Sequence, residues 1–129
     1  MGDPARIEVL PKKLTRAILQ RIAALWIAGL IVLSLQPVRV HKISGRTLGH
    51  QIEHVLLFGA TAMMLLMLAR NRREIFNAVG GVVLLAMGIE ISQFLIYSLP
   101  AFEWWDVRED TIGAVIAWMA WQIRPVTVG

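Results

Sequence analysis

Four long apolar segments, separated by short charged stretches, constrain this sequence more than any other feature. Hydrophobic residues make up 57% of the 129-residue chain and charged residues only 17%, against about 45–50% and about 25% in soluble domains. Because backbone polar groups in lipid must be satisfied within the segment, we expect each segment to be a helix. The sequence therefore predicts an all-α, polytopic membrane protein, a bundle of four transmembrane helices. The segments cover residues 17–35, 55–69, 75–99 and 111–123.

Two of these segments are too short to span a bilayer as they stand. A spanning helix needs roughly 20 residues, so the second helix must begin near residues 47–50 and the fourth near residues 104–106. The earlier starts bring four ionisable side chains to the boundary of the membrane. These are His50, His54, Asp106 and Asp110.

The distribution of basic residues predicts the orientation. Nine of the thirteen Lys and Arg residues precede the first segment or lie near its start, lie between the second and third, or follow the fourth. The positive-inside rule then places both termini in the cytoplasm. We expect residues 1–16 and 125–129 to be cytoplasmic tails flanking a membrane domain at 17–124. The first helix is expected to be retained, because no signal-peptide cleavage pattern follows it.

Charge and cysteine content exclude several classes of partner and site. The chain has no cysteine, so disulfides, thiol catalysis and cysteine-ligated zinc are excluded. Its net charge of +4 comes from basic residues at the ends of apolar segments. We therefore expect membrane lipids as partners rather than nucleic acid.

Glu90 is the most informative single residue, because it lies deep in the third apolar segment. A charged side chain at the bilayer centre costs about 2.5–3.5 kcal/mol on insertion scales, so it normally faces the bundle interior with a partner. We expect that partner to be His54, Tyr97 or Arg108. The sequence predicts an outer-leaflet polar pocket that binds a ligand. Its expected residues are His54, Glu90, Gln93, Tyr97, Asp106, Arg108 and Asp110.

Structural explanations of the same residues remain open. Glu90 could be a hydrogen-bonding node that fixes helix packing. Asp106 and Asp110 could cap the fourth helix, where acidic side chains suit the helix dipole. Gly80, Gly81 and Gly88 are expected to allow close contact between helices, because small residues let backbones approach. They do not form a phosphate-binding loop, because the Lys of that motif does not follow them.

The string from His50 to His54 also fits H-x-x-E-H, the inverted zinc-peptidase pattern. The spacing places two imidazoles on one helical face, and Glu90 or Asp110 would complete a zinc site. The match is only five residues long and lies in an apolar helix without other peptidase motifs. We therefore expect no metal and no cofactor.

Three strings in order resemble the VanZ-like family of small bacterial membrane proteins, which takes its name from an accessory factor in resistance to the glycopeptide teicoplanin. The strings are HVLLF with His54, EISQF with Glu90 and Gln93, and DVREDTIGAVIAW beginning at Asp106. The resemblance covers about residues 34–121. It implies four helices in a bacterial inner membrane.

The chain departs from the family pattern at two places. Members show E-x-x-Q, then an Arg, then D-x-x-x-N-x-x-G. Asp106 and Gly113 match the last motif, but Asp110 stands where the family has Asn. The family Arg is missing near Ala101, and Arg108 is the only base in that loop. An activity that needs the family's guanidinium would be lost or altered here.

These features favour a non-catalytic protein of the cell envelope whose polar pocket binds a lipid-linked, peptidoglycan-related or glycopeptide ligand. The alternative is a small structural or accessory subunit of a larger membrane complex. An enzyme is not expected, because no set of nucleophile, base and orienting residue can be assembled from the motifs.

Overall fold

The fold is all-α, as the sequence predicts. The computed structural model describes residues 12–36, 47–99 and 101–125, and no strand occurs within these ranges. Four helices follow one another along the chain. They are α1 (Lys12–Ser34), α2 (Leu48–Leu68), α3 (Arg72–Ile96) and α4 (Trp104–Gln122).

The early starts predicted for α2 and α4 are confirmed. Thr47 caps α2, because its side chain accepts a hydrogen bond from the His50 amide at 3.2 Å. The α4 helix begins at Trp104, within the predicted window. The α1 helix begins at Lys12, five residues before the first apolar segment. Exposed polar residues continue this helix beyond its apolar part, so residues 12–16 of the predicted tail are helical.

Three of the four helices, α1, α2 and α3, are long and apolar enough to cross a membrane. Their surfaces expose large apolar side chains such as Leu25, Phe76 and Leu84, each more than 70% accessible. In water such a surface is unfavourable, whereas lipid tails solvate it. The α4 helix differs because four of its first seven residues are charged.

Helices α2 and α4 make the closest helix contact in the bundle, through two glycines. A Cβ atom on Gly113 would lie 2.9 Å from the Gly59 amide nitrogen, and a Cβ on Gly59 would lie 3.2 Å from the Gly113 carbonyl oxygen. No side chain fits between these backbones. The prediction for Gly80, Gly81 and Gly88 is wrong, because a Cβ at any of them would meet nothing within 4 Å.

Helices α2 and α4 run parallel. His50 contacts Asp106, His54 contacts Asp110, and Gly59 approaches Gly113, so position advances in the same direction along both helices. Small and apolar residues continue the contact below the glycines. The buried core of the bundle contains Phe58, Ala62, Leu66, Val82, Ala86, Ala114 and Ala117.

Helix α1 packs antiparallel on α2 and is the least buried helix. Only Ala23 and Leu30 of its residues are buried. Two side-chain hydrogen bonds connect the pair: Trp26 Nε1 donates to Thr61 Oγ1 at 2.9 Å, and the Arg16 guanidinium donates to the Leu68 carbonyl at 2.7 Å. Arg16 thereby satisfies a carbonyl at the C-terminus of α2, where a cation is favourable.

Candidate functional site

The candidate site is a cluster of four side chains at the end of the bundle where α2 and α4 begin. His50 and His54 are one turn apart on α2, and Asp106 and Asp110 are one turn apart on α4. Because residues four apart share a helical face, the parallel contact sets the two pairs opposite one another. We refer to these four residues as the His–Asp cluster.

The contact between His54 and Asp110 is the shortest in the cluster. His54 Nδ1 lies 2.7 Å from Asp110 Oδ1, and the aspartate side chain is only 2% exposed. A carboxylate can only accept, so the bond places the Nδ1 proton on His54. The imidazole also stacks on Phe58, with ring centroids 6.2 Å apart and planes 2° from parallel. Both contacts fix the orientation of the ring.

The remaining histidine atoms converge on Asp106. His50 Nε2 lies 3.3 Å from Asp106 Oδ1, and His54 Nε2 lies 3.8 Å from Asp106 Oδ2. The two imidazole rings meet edge to face at 4.5 Å between centroids. His50 is the open member of the cluster, because 33% of its side chain is exposed.

Glu90 approaches the His–Asp cluster from α3. It is 2% exposed and lies close enough to interact electrostatically with His54, Asp106 and Asp110. Burying a carboxyl group is unfavourable unless it is paired, protonated or bound to a cation. This buried acid of α3 lies within electrostatic range of His54 on α2 and of both aspartates on α4.

Gln93 and Tyr97 make a different contact, although they share the helical face of Glu90. Gln93 Nε2 donates to the Ser34 carbonyl and the Tyr97 hydroxyl donates to the Leu35 carbonyl, each at 2.6 Å. The last carbonyls of a helix have no partner within it. These two side chains therefore cap the C-terminus of α1.

Arg108 points away from the cluster. Its side chain is 54% exposed, its guanidinium lies 4.3 Å from the centre of the Trp105 ring, and it contacts Glu109 at 3.6 Å. Helical geometry explains this, because Arg108 is half a turn from both Asp106 and Asp110. The α4 face that carries the aspartates turns inward, so Arg108 turns outward.

Two residues at this end of the bundle were missing from the predicted pocket. His50 was placed at the membrane boundary and in the zinc-type pattern but not in the pocket, although its spacing from His54 already placed both rings on one face. Glu109 is 3% exposed and lies next to Asp110. A position adjacent to Asp110 lies on a different face of an isolated helix, so spacing alone gives no signal for its burial.

Gly113 explains why the cluster forms where it does. It lies three residues after Asp110 and one turn below it, at the closest approach of α4 to α2. Any larger residue would separate the helices and widen the gap between His54 and Asp110. The sequence analysis matched Gly113 to the D-x-x-x-N-x-x-G pattern but predicted no packing role for it.

The fold and the site define an all-α helical bundle of membrane type, with ionisable residues collected at one end. A family model described as VanZ/LLP1 matches residues 5–125, nearly the whole chain. The chain therefore belongs to the VanZ/LLP1 family. No curated protein and no solved structure matches the sequence.

Proposed function

We propose that the protein is an integral membrane protein of the bacterial inner membrane, with four crossings and both termini in the cytoplasm. Helix α2 is long and apolar enough to cross a membrane, and α4 packs against it in the same direction. This contact supports a fourth crossing, by α4. Its 19 residues extend about 28 Å at 1.5 Å each, close to the thickness of the hydrocarbon core.

The orientation of this proposal rests on the two ends of the bundle. Arg16, Arg72 and Arg124 lie where α1 and α3 begin and where α4 ends. The His–Asp cluster lies at the opposite end. Because Lys and Arg favour the cytoplasmic side, the cluster faces the outer leaflet.

We further propose that the cluster, together with Glu90, binds the polar part of a lipid-linked, peptidoglycan-related or glycopeptide ligand. The carrying observation is the hydrogen-bonded pair of His54, 19% exposed, and buried Asp110 beside the more open His50. Buried ionisable groups in a membrane bundle are costly and typically mark a functional site. Carboxylates and imidazoles at this level can bind the hydroxyl and amino groups of a ligand that approaches from the outer leaflet.

The proposed role is non-catalytic. Two hydroxyl groups close in sequence to Glu90 and Asp110 bond to their own helices: Ser92 donates to the Gly88 carbonyl and Thr111 to the Val107 carbonyl, each at 2.7 Å. Neither hydroxyl is paired with a histidine as an activated nucleophile would be. Binding therefore requires fewer assumptions than hydrolysis.

Teicoplanin sensitivity tests this function. Wild-type protein and the variants His54→Ala and Glu90→Gln would be expressed at matched levels in a glycopeptide-sensitive bacterium. Binding of fluorescent teicoplanin and of a lipid-linked peptidoglycan precursor would be measured on purified protein. We expect neither variant to protect the cells from teicoplanin. Each variant should bind at least one of the two probes about tenfold more weakly, which corresponds to the loss of about one hydrogen bond. Arg108→Ala is the matched control, since its side chain faces outward.

Wild-type behaviour of both variants in every assay would contradict the proposal. The accessory-subunit alternative makes a separate prediction, which purification in a mild detergent tests. A partner protein that copurifies in fixed stoichiometry would favour it. A homogeneous preparation of this chain alone would favour the ligand-binding function.

A further inference from the structure

We propose that His50, His54 and Asp106 form a binding site for one divalent transition-metal ion, with zinc as the first candidate, and that Asp110 orients His54 from behind. This revises the expectation of no metal. The inference concerns the His–Asp cluster itself and does not depend on the identity of the ligand proposed above.

The donor atoms of the three residues lie close together, at or somewhat beyond the spacing that a metal requires. One donor atom from each of the three residues lies within 4.8 Å of the other two. In a tetrahedral site with bonds of 2.0–2.1 Å, neighbouring ligand atoms are separated by about 3.3 Å. The distance from His50 Nε2 to Asp106 Oδ1 is 3.3 Å, and that from His54 Nε2 to Asp106 Oδ2 is 3.8 Å. Small side-chain rotations would bring all three to one ion.

Asp110 supplies the supporting contact that metal-bound histidines normally have. A ligating imidazole usually donates its other ring N–H to a carboxylate, which fixes the tautomer and raises the basicity of the ligating nitrogen. His54 makes this bond from Nδ1 to Asp110 at 2.7 Å. Its Nε2 then carries the lone pair and lies 3.8 Å from Asp106 Oδ2.

The charge at this end of the bundle favours a cation. Among the residues that the structure describes, four acidic side chains are buried: Glu90, Asp106, Glu109 and Asp110. The buried residues of the same ranges include no Lys or Arg. Buried carboxylates are stabilised by pairing or by metal coordination. A divalent ion between Asp106 and the histidines would offset part of this negative charge.

The donor set also selects the class of metal. Two imidazole nitrogens and one carboxylate oxygen suit zinc, and the same set with open positions also suits iron(II) and other first-row ions. The site differs from the inverted zinc-peptidase pattern, because its third ligand comes from α4 and is Asp106 rather than Glu90 or Asp110. The exposed third of His50 leaves room for water or a ligand at the fourth position.

Metal content of the purified full-length protein tests the inference. The protein would carry a streptavidin-binding tag rather than a histidine tag. It would be stripped with EDTA, reloaded with zinc, manganese or cobalt, desalted and measured by mass spectrometry of the metals. We expect a single tightly held ion per chain for at least one of these metals. His50→Ala, His54→Ala and Asp106→Asn should each abolish stoichiometric binding.

Two kinds of control make the result specific. Asp110→Asn should weaken binding about 10–100-fold without abolishing it, as loss of a supporting carboxylate does. His41→Ala removes the only other histidine, and Glu53→Gln removes the acid of the peptidase-like pattern. Both should bind as the wild type does. Circular dichroism and gel filtration would show that each variant is folded, and His54→Gln replaces His54→Ala if the latter is not.

Either of two results would overturn the metal site. One is a wild-type protein that holds no ion stoichiometrically after loading. The other is stoichiometric binding that survives in the folded His50 and Asp106 variants. Because no ligand is present in this assay, its failure leaves the teicoplanin experiment intact, and the reverse also holds.

Discussion

Two groups of polar side chains share the end of the bundle where α2 and α4 begin, but they bond to different partners. The residues of the His–Asp cluster bond to one another across two helices. Gln93 and Tyr97 bond to backbone carbonyls at the end of α1. Both groups are polar residues in an apolar sequence, and the sequence alone does not distinguish them, because it does not show their partners.

The difference in bonding partners distinguishes residues that hold helices together from residues that are able to bind a ligand. A side chain that donates to the carbonyls at a helix end holds the neighbouring helix in place. A side chain whose partners are other ionisable groups can exchange those partners for a ligand or a metal. We therefore expect substitutions in the cluster to change binding, and substitutions of Gln93 or Tyr97 to change the attachment of α1.

The largest effect is expected from Gly113→Val, which would force α2 and α4 apart. Its Cβ would collide with the Val55 carbonyl and approach the Gly59 amide. We expect a loss of about 3 kcal/mol or more in unfolding free energy, the upper range for overpacking, together with loss of metal binding. Unfolding by sodium dodecyl sulfate in mixed micelles, followed by tryptophan fluorescence, measures the stability.

The matched control is Gly88→Ala, where an added Cβ meets nothing within 4 Å. Replacing a mid-helix glycine by alanine at an open position gains about 0.5–1 kcal/mol. If both variants were equally stable, the glycine contact would not be what sets α2 against α4.

The next largest effect is expected at Asp110. Asp110→Ala leaves the buried Nδ1–H of His54 without its acceptor and should cost about 1–3 kcal/mol. Asp110→Asn retains an acceptor oxygen at the same place and should cost less than half as much. The same unfolding titration compares the two. Equal losses would show that the hydrogen bond to His54 contributes little.

Smaller effects are expected for Gln93→Leu and Tyr97→Phe. Each removes one hydrogen bond to the end of α1, and such bonds between membrane helices average about 0.6 kcal/mol. Hydrogen exchange should rise in the last turn of α1, while metal binding stays unchanged. A clear loss of metal binding in either variant would show that Gln93 or Tyr97 belongs to the same site as the His–Asp cluster.

The smallest effect is expected for Arg108→Ala. The guanidinium is mostly exposed and lies over Trp105, a contact worth about 0.5–1 kcal/mol at a surface. Stability should change by no more than this, with zinc affinity and teicoplanin protection unaffected. If the variant lost teicoplanin protection while keeping wild-type stability, Arg108 would be part of the ligand site after all.

The sequence predicts the helices well because the length of an apolar segment is a local signal. The early starts of α2 and α4 followed from the length of a crossing and agree with Thr47 and Trp104. Spacing also placed His50 with His54 and Asp106 with Asp110. These predictions need knowledge of one helix at a time.

Contacts between helices were harder to predict. Periodicity shows that Glu90, Gln93 and Tyr97 share a face of α3, but it does not show that the end of α1 covers the last two. It also cannot distinguish Gly113, which contacts a backbone, from Gly88, which faces open space. Both differences depend on which helices touch and at what height.

The central claim is that α2 and α4 run parallel and bring position 50 against position 106. Thiol cross-linking in native membranes tests this claim directly, because the chain has no cysteine of its own. The account predicts that a short bifunctional thiol reagent joins the two cysteines of the double variant His50→Cys/Asp106→Cys within one chain, because the native side chains of these positions meet at 3.3 Å. The pair His50→Cys/Trp118→Cys should not be joined, since position 118 is about 18 Å further along α4. Cross-linking of the second pair but not the first would contradict the account.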